Sequence, residues 1–174
     1  MNNIEKYSYI LALIKNGLHS TLNILEKSKA YAAEKGIADQ LFLDFKLAPD
    51  MFSFARQIQI VSDTAKSSVA KLSAQQAPKM EDNEKSFDEL IVRIKNTQDY
   101  VETFTADSFA GADDVQITFG WAPGKFISSK DYIEKFLISN FYFHITTAYG
   151  IARNNSVPIG KMDFVGNLDM KDLN

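Results

Sequence analysis

Residues 140–155 read NFYFHITTAYGIARNN and carry His144, one of two histidines in a chain without cysteine. An imidazole can act as a general base, a proton shuttle or a metal ligand, and each role needs companions. A transition ion asks for three or more N, O or S donors at about 2.0–2.2 Å. Asn140 lies one helical turn before His144 and faces the same way. Asp63 supplies a carboxylate if its own helix packs against that face. Asn140, His144 and Asp63 make a weak metal set, unusual for zinc and better matched to a harder ion. The competing reading is a neutral core histidine, bonded across the bundle to Asp63, Gln59 or a tyrosine hydroxyl. Burial disfavours the imidazolium and a nearby carboxylate favours it. The core reading is preferred, and no metal or other cofactor is assigned.

Arg56, Gln59 and Asp63 stand at i, i+3 and i+7 and share a helix face. They read either as a pocket wall with a guanidinium for an anionic group or as the solvent side of an amphipathic helix. Tyr142, Tyr149 and Trp121 can wall a cavity, since they join an apolar ring to a polar tip. They can equally be packing residues. The expected pocket comprises Arg56, Gln59, Asp63, Asn140, Tyr142, His144 and Tyr149.

Other chemistries find little support. The lack of cysteine excludes disulfides, thiolate zinc sites and a cysteine nucleophile. No serine stands in a GxSxG elbow, and no GxxxxGK[ST] phosphate loop occurs. Glu5, Glu26 and Glu34 give no ExxH di-iron spacing. His19, in HSTL, reads as surface or interhelical polarity. Asp50 follows Pro49 and reads as a helix cap.

Four helices must position these side chains. Tyr7, Leu11, Ile14, Leu18, Leu22 and Leu25 recur at helical spacing over residues 4–35, and Gly36 suits the helix end. In the link 37–49, Leu41, Phe42, Phe45 and Leu47 are expected against the bundle, with a helical turn near 38–43. A second helix is expected over 50–73, buried through Phe54, Ile58, Val61, Ala65, Val69 and Leu72. A third, capped by Asp82 or Asn83, carries Phe87, Leu90, Ile91, Ile94, Val101 and Phe104. Val115, Ile117 and Phe119 alternate with polar or small residues, and APG at 122–124 can turn, which predicts a small β-hairpin. Ser128 opens a last helix over 129–154 with apolar residues around most of its girth, expected to be the most enclosed. Residues 156–174 are expected to form an extended tail, with Phe164 and Val165 tucked onto the bundle and the final nine residues loose.

Bulk properties fit one soluble domain spanning 1–174. The chain has 174 residues, 13 Phe, 7 Tyr and few Gly or Pro, enough for a substantial core. The net charge of −3 comes from interspersed residues of both signs, so no nucleic-acid partner is expected. No apolar run is long enough to span a membrane, and no leader pattern opens the chain, so a cytoplasmic location is expected.

Three segments carry a family likeness: KLAPDMFSFARQIQIVSDTAK at 46–66, NFYFHITTAYGIAR at 140–153 and VPIGKMDF at 157–164. Together they resemble an uncharacterised bacterial and fungal family of the DinB/YfiT-like superfamily, over nearly the whole chain. The resemblance implies an all-α four-helix bundle with a long crossover, the hairpin being inserted before the last helix. It also implies a homodimer. Many DinB-like members hold a divalent metal with three histidines, one from the second helix and two from an HxxxH in the last. On that pattern His144 is the second histidine of the pair and Asn140 stands where the first would be. The second helix offers only Gln57, Gln59 and Asp63. The expectation is a non-catalytic module, structural or binding a small molecule, that has lost the metal triad. The alternative is a metal-dependent or metal-free transferase or hydrolase acting on small thiol or electrophilic substrates.

Overall fold

The computed structural model describes residues 2–166, 168, 170 and 171. The first helix, α1 (Asn3–Lys35), starts with a reciprocal cap. The Asn2 side chain accepts from the Glu5 backbone N–H at 2.9 Å, and Glu5 Oε2 accepts from the Asn2 N–H at 3.0 Å. It ends at Gly36, whose φ of 64° is a left-handed conformation that glycine adopts without strain. A short helix α2 (Asp39–Leu43) follows in the link. It buries Phe42 and Leu43. Leu41 instead stays exposed, because one turn of helix can present only one side to the bundle, while Leu47, beyond α2, is partly exposed and lies over Gly150.

The second long helix, α3 (Phe54–Leu72), begins later than the sequence suggests. Pro49 and Asp50 occupy a turn closed by the Met51 N–H on the Ala48 carbonyl at 3.0 Å. Ser53 is the N-cap, its side chain accepting from the Arg56 N–H at 3.5 Å. Helix α4 (Phe87–Glu102) is likewise capped by Ser86, not by Asp82 or Asn83. Asp82 is drawn away by Arg56 and Arg93.

After two 3₁₀ turns, strands β1 (Gln116–Thr118) and β2 (Phe126–Ser128) pair antiparallel, Ile117 opposite Ile127. Ser128 then caps the last helix through the Asp131 N–H at 3.1 Å. This rod has three parts: α5 (Ser129–Asp131), a π-helical turn (Tyr132–Leu137) and α6 (Ile138–Asn154). Tyr132 and Ile138 keep helical dihedrals, so the rod is continuous.

The long helices close a ring in which α1 packs on α4, α4 on α3, α3 on α6 and α6 on α1. This is the expected four-helix bundle with a hairpin before its last helix. The most enclosed helix is α3, not the last one. Most of α3 is buried, whereas α6 leaves Ser139, Phe143 and Thr146 exposed along one stripe. Two aromatic groups fill the bundle ends. Phe42 meets Phe54 at 5.3 Å and Phe87 at 5.2 Å, while Tyr7 stacks on Phe109 at 5.0 Å.

The C-terminal segment is partly helical rather than extended, with α7 at Lys161–Val165. Asp163 accepts from the Gly160 N–H at 2.7 Å, a local cap that supports one turn. Phe164 packs on Tyr149 at 5.9 Å, as its position in the sequence suggests, and Asn23 of α1 donates to the Asp163 carbonyl at 2.9 Å. Of the last nine residues, read as loose, 167, 169 and 172–174 lie outside the described residues. No described helix is long and apolar enough to cross a membrane.

Candidate functional site

The polar residues singled out in the sequence gather along the seam of α3 and α6, but in separate groups. His144 is buried, and its Nδ1 lies 2.6 Å from Gln57 Oε1. The Gln57 amide nitrogen donates to the Phe52 carbonyl at 3.1 Å, so its oxygen is left to accept. Nδ1 therefore carries the proton, and Nε2 is the acceptor nitrogen. Burial lowers the imidazole pKa below its usual value, and the nearby Arg56 charge lowers it further. The ring borders a cavity of about 200 Å³ with Asp50, Phe52, Gln57 and Phe143. Asp50 is thus a cavity residue and not the cap of α3.

Asn140 and Asp63 meet in a second cavity, of about 290 Å³. Its walls are Ile60, Asp63, Thr64, Ser67 and Lys71 of α3, Phe119 beyond β1, Tyr132 and Phe136 of the π-helical turn, and Asn140 of α6. Asn140 donates to Thr64 Oγ1 at 3.0 Å. Phe119 is tilted against Phe136 at 4.9 Å, and Trp121 stacks on Phe119 at 4.9 Å. Trp121 is 75% exposed, so it stands behind the wall and not inside it.

Asp63 is already held by two cations, Arg93 Nη2 at 2.8 Å and Lys66 Nζ at 2.9 Å. Arg93 also reaches Asp82 at 2.9 Å and Glu84 at 2.8 Å. Arg56 joins through Asp82 and through Gln59 Oε1 at 3.2 Å, and Gln59 donates to Glu84 at 2.9 Å. Three cations thus face three carboxylates, which pin the 73–86 link to α3 and α4. Arg56 and Gln59 serve this network and border neither cavity. Tyr142 and Tyr149 line neither cavity. The first donates to the Leu13 carbonyl at 3.1 Å, and the second packs on Phe164.

Sequence reasoning missed Lys71, Arg93 and the Gln57–His144 pair as a unit. Arg93 had a legible signal, since it falls three residues after Leu90 and beside Ile94 on the buried stripe of α4. Lys71 had only its helical register with Thr64 and Ser67.

The model of the domain-of-unknown-function family DUF1993 matches residues 7–165 of this chain. The chain belongs to that family. A crystal structure of a DinB family member from Shewanella denitrificans is 38% identical to this DUF1993 chain, with a TM-score of 0.88. The match covers 94% of this chain and 93% of that one. The comparison with curated proteins gives no match. Family and fold together make the chain a DinB-like bundle.

The donors of this DUF1993 chain do not fit the three-histidine metal site that the DinB-like resemblance implies. His144 and Asn140 border different cavities. Gln57 stands against the imidazole from α3 as an amide, a poor ligand for a borderline-soft ion. Asp63 is neutralised by two cations. Among the described residues, no three His, Asp or Glu side chains converge as a ligand set.

Proposed function

We propose that this DUF1993 protein is a non-catalytic module that binds a small molecule between α3, the hairpin, the π-helical turn and α6. The observation that carries the reading is the cavity of about 290 Å³ lined by three aromatic rings and a row of polar side chains. Ligand sites combine apolar walls with a few placed polar groups in this way. A π-helical turn beside the cavity supports the same reading, since such turns recur at functional sites. The side chains nearest to chemistry are engaged with neighbours: His144 with Gln57, Asn140 with Thr64, and Asp63 with Arg93 and Lys66. The proposal extends to a cytoplasmic homodimer without a nucleic-acid partner, in keeping with the net charge of −3 and the lack of cysteine.

The test is thermal melting with a panel of small neutral, cationic and anionic aromatic fragments, on the protein and on Ser67→Phe. A bound ligand raises the melting temperature with its concentration. Fragments should stabilise the wild type, and the phenyl ring should fill the cavity and remove the effect. Uniform indifference of the wild type to the panel overturns the proposal.

A second reading is favoured by one observation. His144 is fixed by Gln57 with Nε2 as acceptor, beside a separate cavity that also holds Asp50. That arrangement suits a general base in a metal-free transferase or hydrolase acting on a small thiol or electrophile. Turnover of such a pair that vanishes in His144→Gln would establish this reading in place of the first.

A further inference from the structure

Lys71 of α3 is half-buried at the wall of the larger cavity. Its ammonium donates to the Thr118 carbonyl at 3.1 Å. It also lies 4.9 Å from the Phe119 ring centroid and 6.0 Å from that of Tyr132. No carboxylate among the described residues pairs with it. The carbonyl and the aromatic faces favour the cationic form. An ammonium has three hydrogens, so two remain for a ligand.

The surrounding charges are balanced elsewhere. Asp63 borders the same cavity but is neutralised by Arg93 and Lys66. Lys71 therefore contributes the uncompensated charge of this cavity. Thr64, Ser67 and Lys71 follow at helical spacing and line it together. Thr64 Oγ1 accepts from Asn140, which leaves its hydroxyl hydrogen to donate. The rings of Phe119, Tyr132 and Phe136 line the same cavity.

We propose that the cavity takes a small aromatic carboxylate, its anionic group on the Lys71 ammonium and the Ser67 and Thr64 hydroxyls, its ring against Phe119 and Phe136. This inference rests on the cavity being a ligand site, and it names the class of ligand. Burial depresses the Lys71 pKa, and an arriving carboxylate would offset that effect.

The test is a titration with sodium benzoate, benzamide and benzylamine, three probes of similar shape that differ in charge. Trp121 is the single tryptophan of the chain and stacks on Phe119, so its fluorescence reports on the wall. Calorimetry gives the affinities independently. Benzoate should bind more tightly than the other two. Lys71→Met should weaken benzoate by roughly tenfold to a hundredfold, the worth of a charge-assisted hydrogen bond. Lys71→Arg should keep most of the affinity, and Ser67→Ala should lose less than Lys71→Met. A melting curve on each variant confirms that it is folded. If benzamide or benzylamine binds as well as benzoate, or Lys71→Met binds benzoate normally, the ligand class is wrong and the cavity reading stands. If none of the three probes binds, both fail.

Discussion

At Gly17 an added methyl group would lie 2.3 Å from Phe141 Cε1 and 2.9 Å from Ile145 Cδ1, far inside contact distance. Phe141 is 1% exposed and Ile145 is fully buried, so neither can swing into solvent to make room. Two effects oppose each other in Gly17→Ala. Helix propensity favours alanine over glycine by about 1 kcal/mol. Overpacking a closed core costs about 1–3 kcal/mol, and contacts this short belong to the upper part of that range. The net effect is a destabilisation of about 1–2 kcal/mol, or roughly 2–8 °C in Tm for a domain of this size. Gly150→Ala is the internal control. Its added methyl would find only Leu47, at 3.8 Å, an ordinary contact. The propensity gain of about 1 kcal/mol is then unopposed, and Tm should rise by roughly 2–4 °C. Thermal melts followed by far-ultraviolet circular dichroism decide between the two signs. If Gly17→Ala melts at or above the wild type while Gly150→Ala rises, the close approach of α1 and α6 at Gly17 is refuted.

Arg93→Met should destabilise by about 3 kcal/mol in urea unfolding, since it leaves Asp63, Asp82 and Glu84 clustered without their shared cation. That figure is the low end for a broken buried pair, because Asp63 and Asp82 are about a third exposed and water relieves part of the loss. An unchanged midpoint would show the network to be surface decoration. His144 gives a pH dependence. Its folded pKa is depressed by burial and by Arg56, so below about pH 6.5 the unfolded chain takes up the proton first. Stability from this group is full above that pH and falls as pH drops towards the folded pKa. The urea midpoint of the wild type should therefore decline more between about pH 7 and pH 5 than that of His144→Gln. Parallel declines would mean that the imidazole is not held neutral.

The sequence made some elements legible and not others, for identifiable reasons. Helix α1 was readable at both ends because its signals are local: the stripe from Tyr7 to Leu25, and a glycine at the end with positive φ. The starts of α3 and α4 were not, because several capping residues competed within a few positions. Ser53 and Ser86 prevailed by bonding an N–H three residues on, while Asp50 faces a cavity and Asp82 serves two arginines. Of the residues grouped by helix face, Asp63 and Asn140 line one cavity, while His144 lies against Gln57 at another. A helix face fixes direction and not depth along the seam, so one turn of offset separates two cavities. Lys71 was invisible because its setting is assembled from residues far along the chain, the Thr118 carbonyl and the Phe119 ring. The π-helical turn left no trace in the apolar spacing of YIEKFL, which suits an ordinary helix as well.

That turn fixes the azimuth of everything preceding it on the last rod. An α-helix advances about 100° per residue and an i→i+5 turn less, so the six residues 132–137 sweep roughly the arc that five would in an α-helix. One residue is thereby taken up without rotating the hairpin, and Phe119 keeps its place over Lys71. The wide turn thus acts as a rotational shim: deleting one residue from 132–137 should leave the aromatic wall in place, whereas the same deletion within α6 should rotate it off α3 by about 100°.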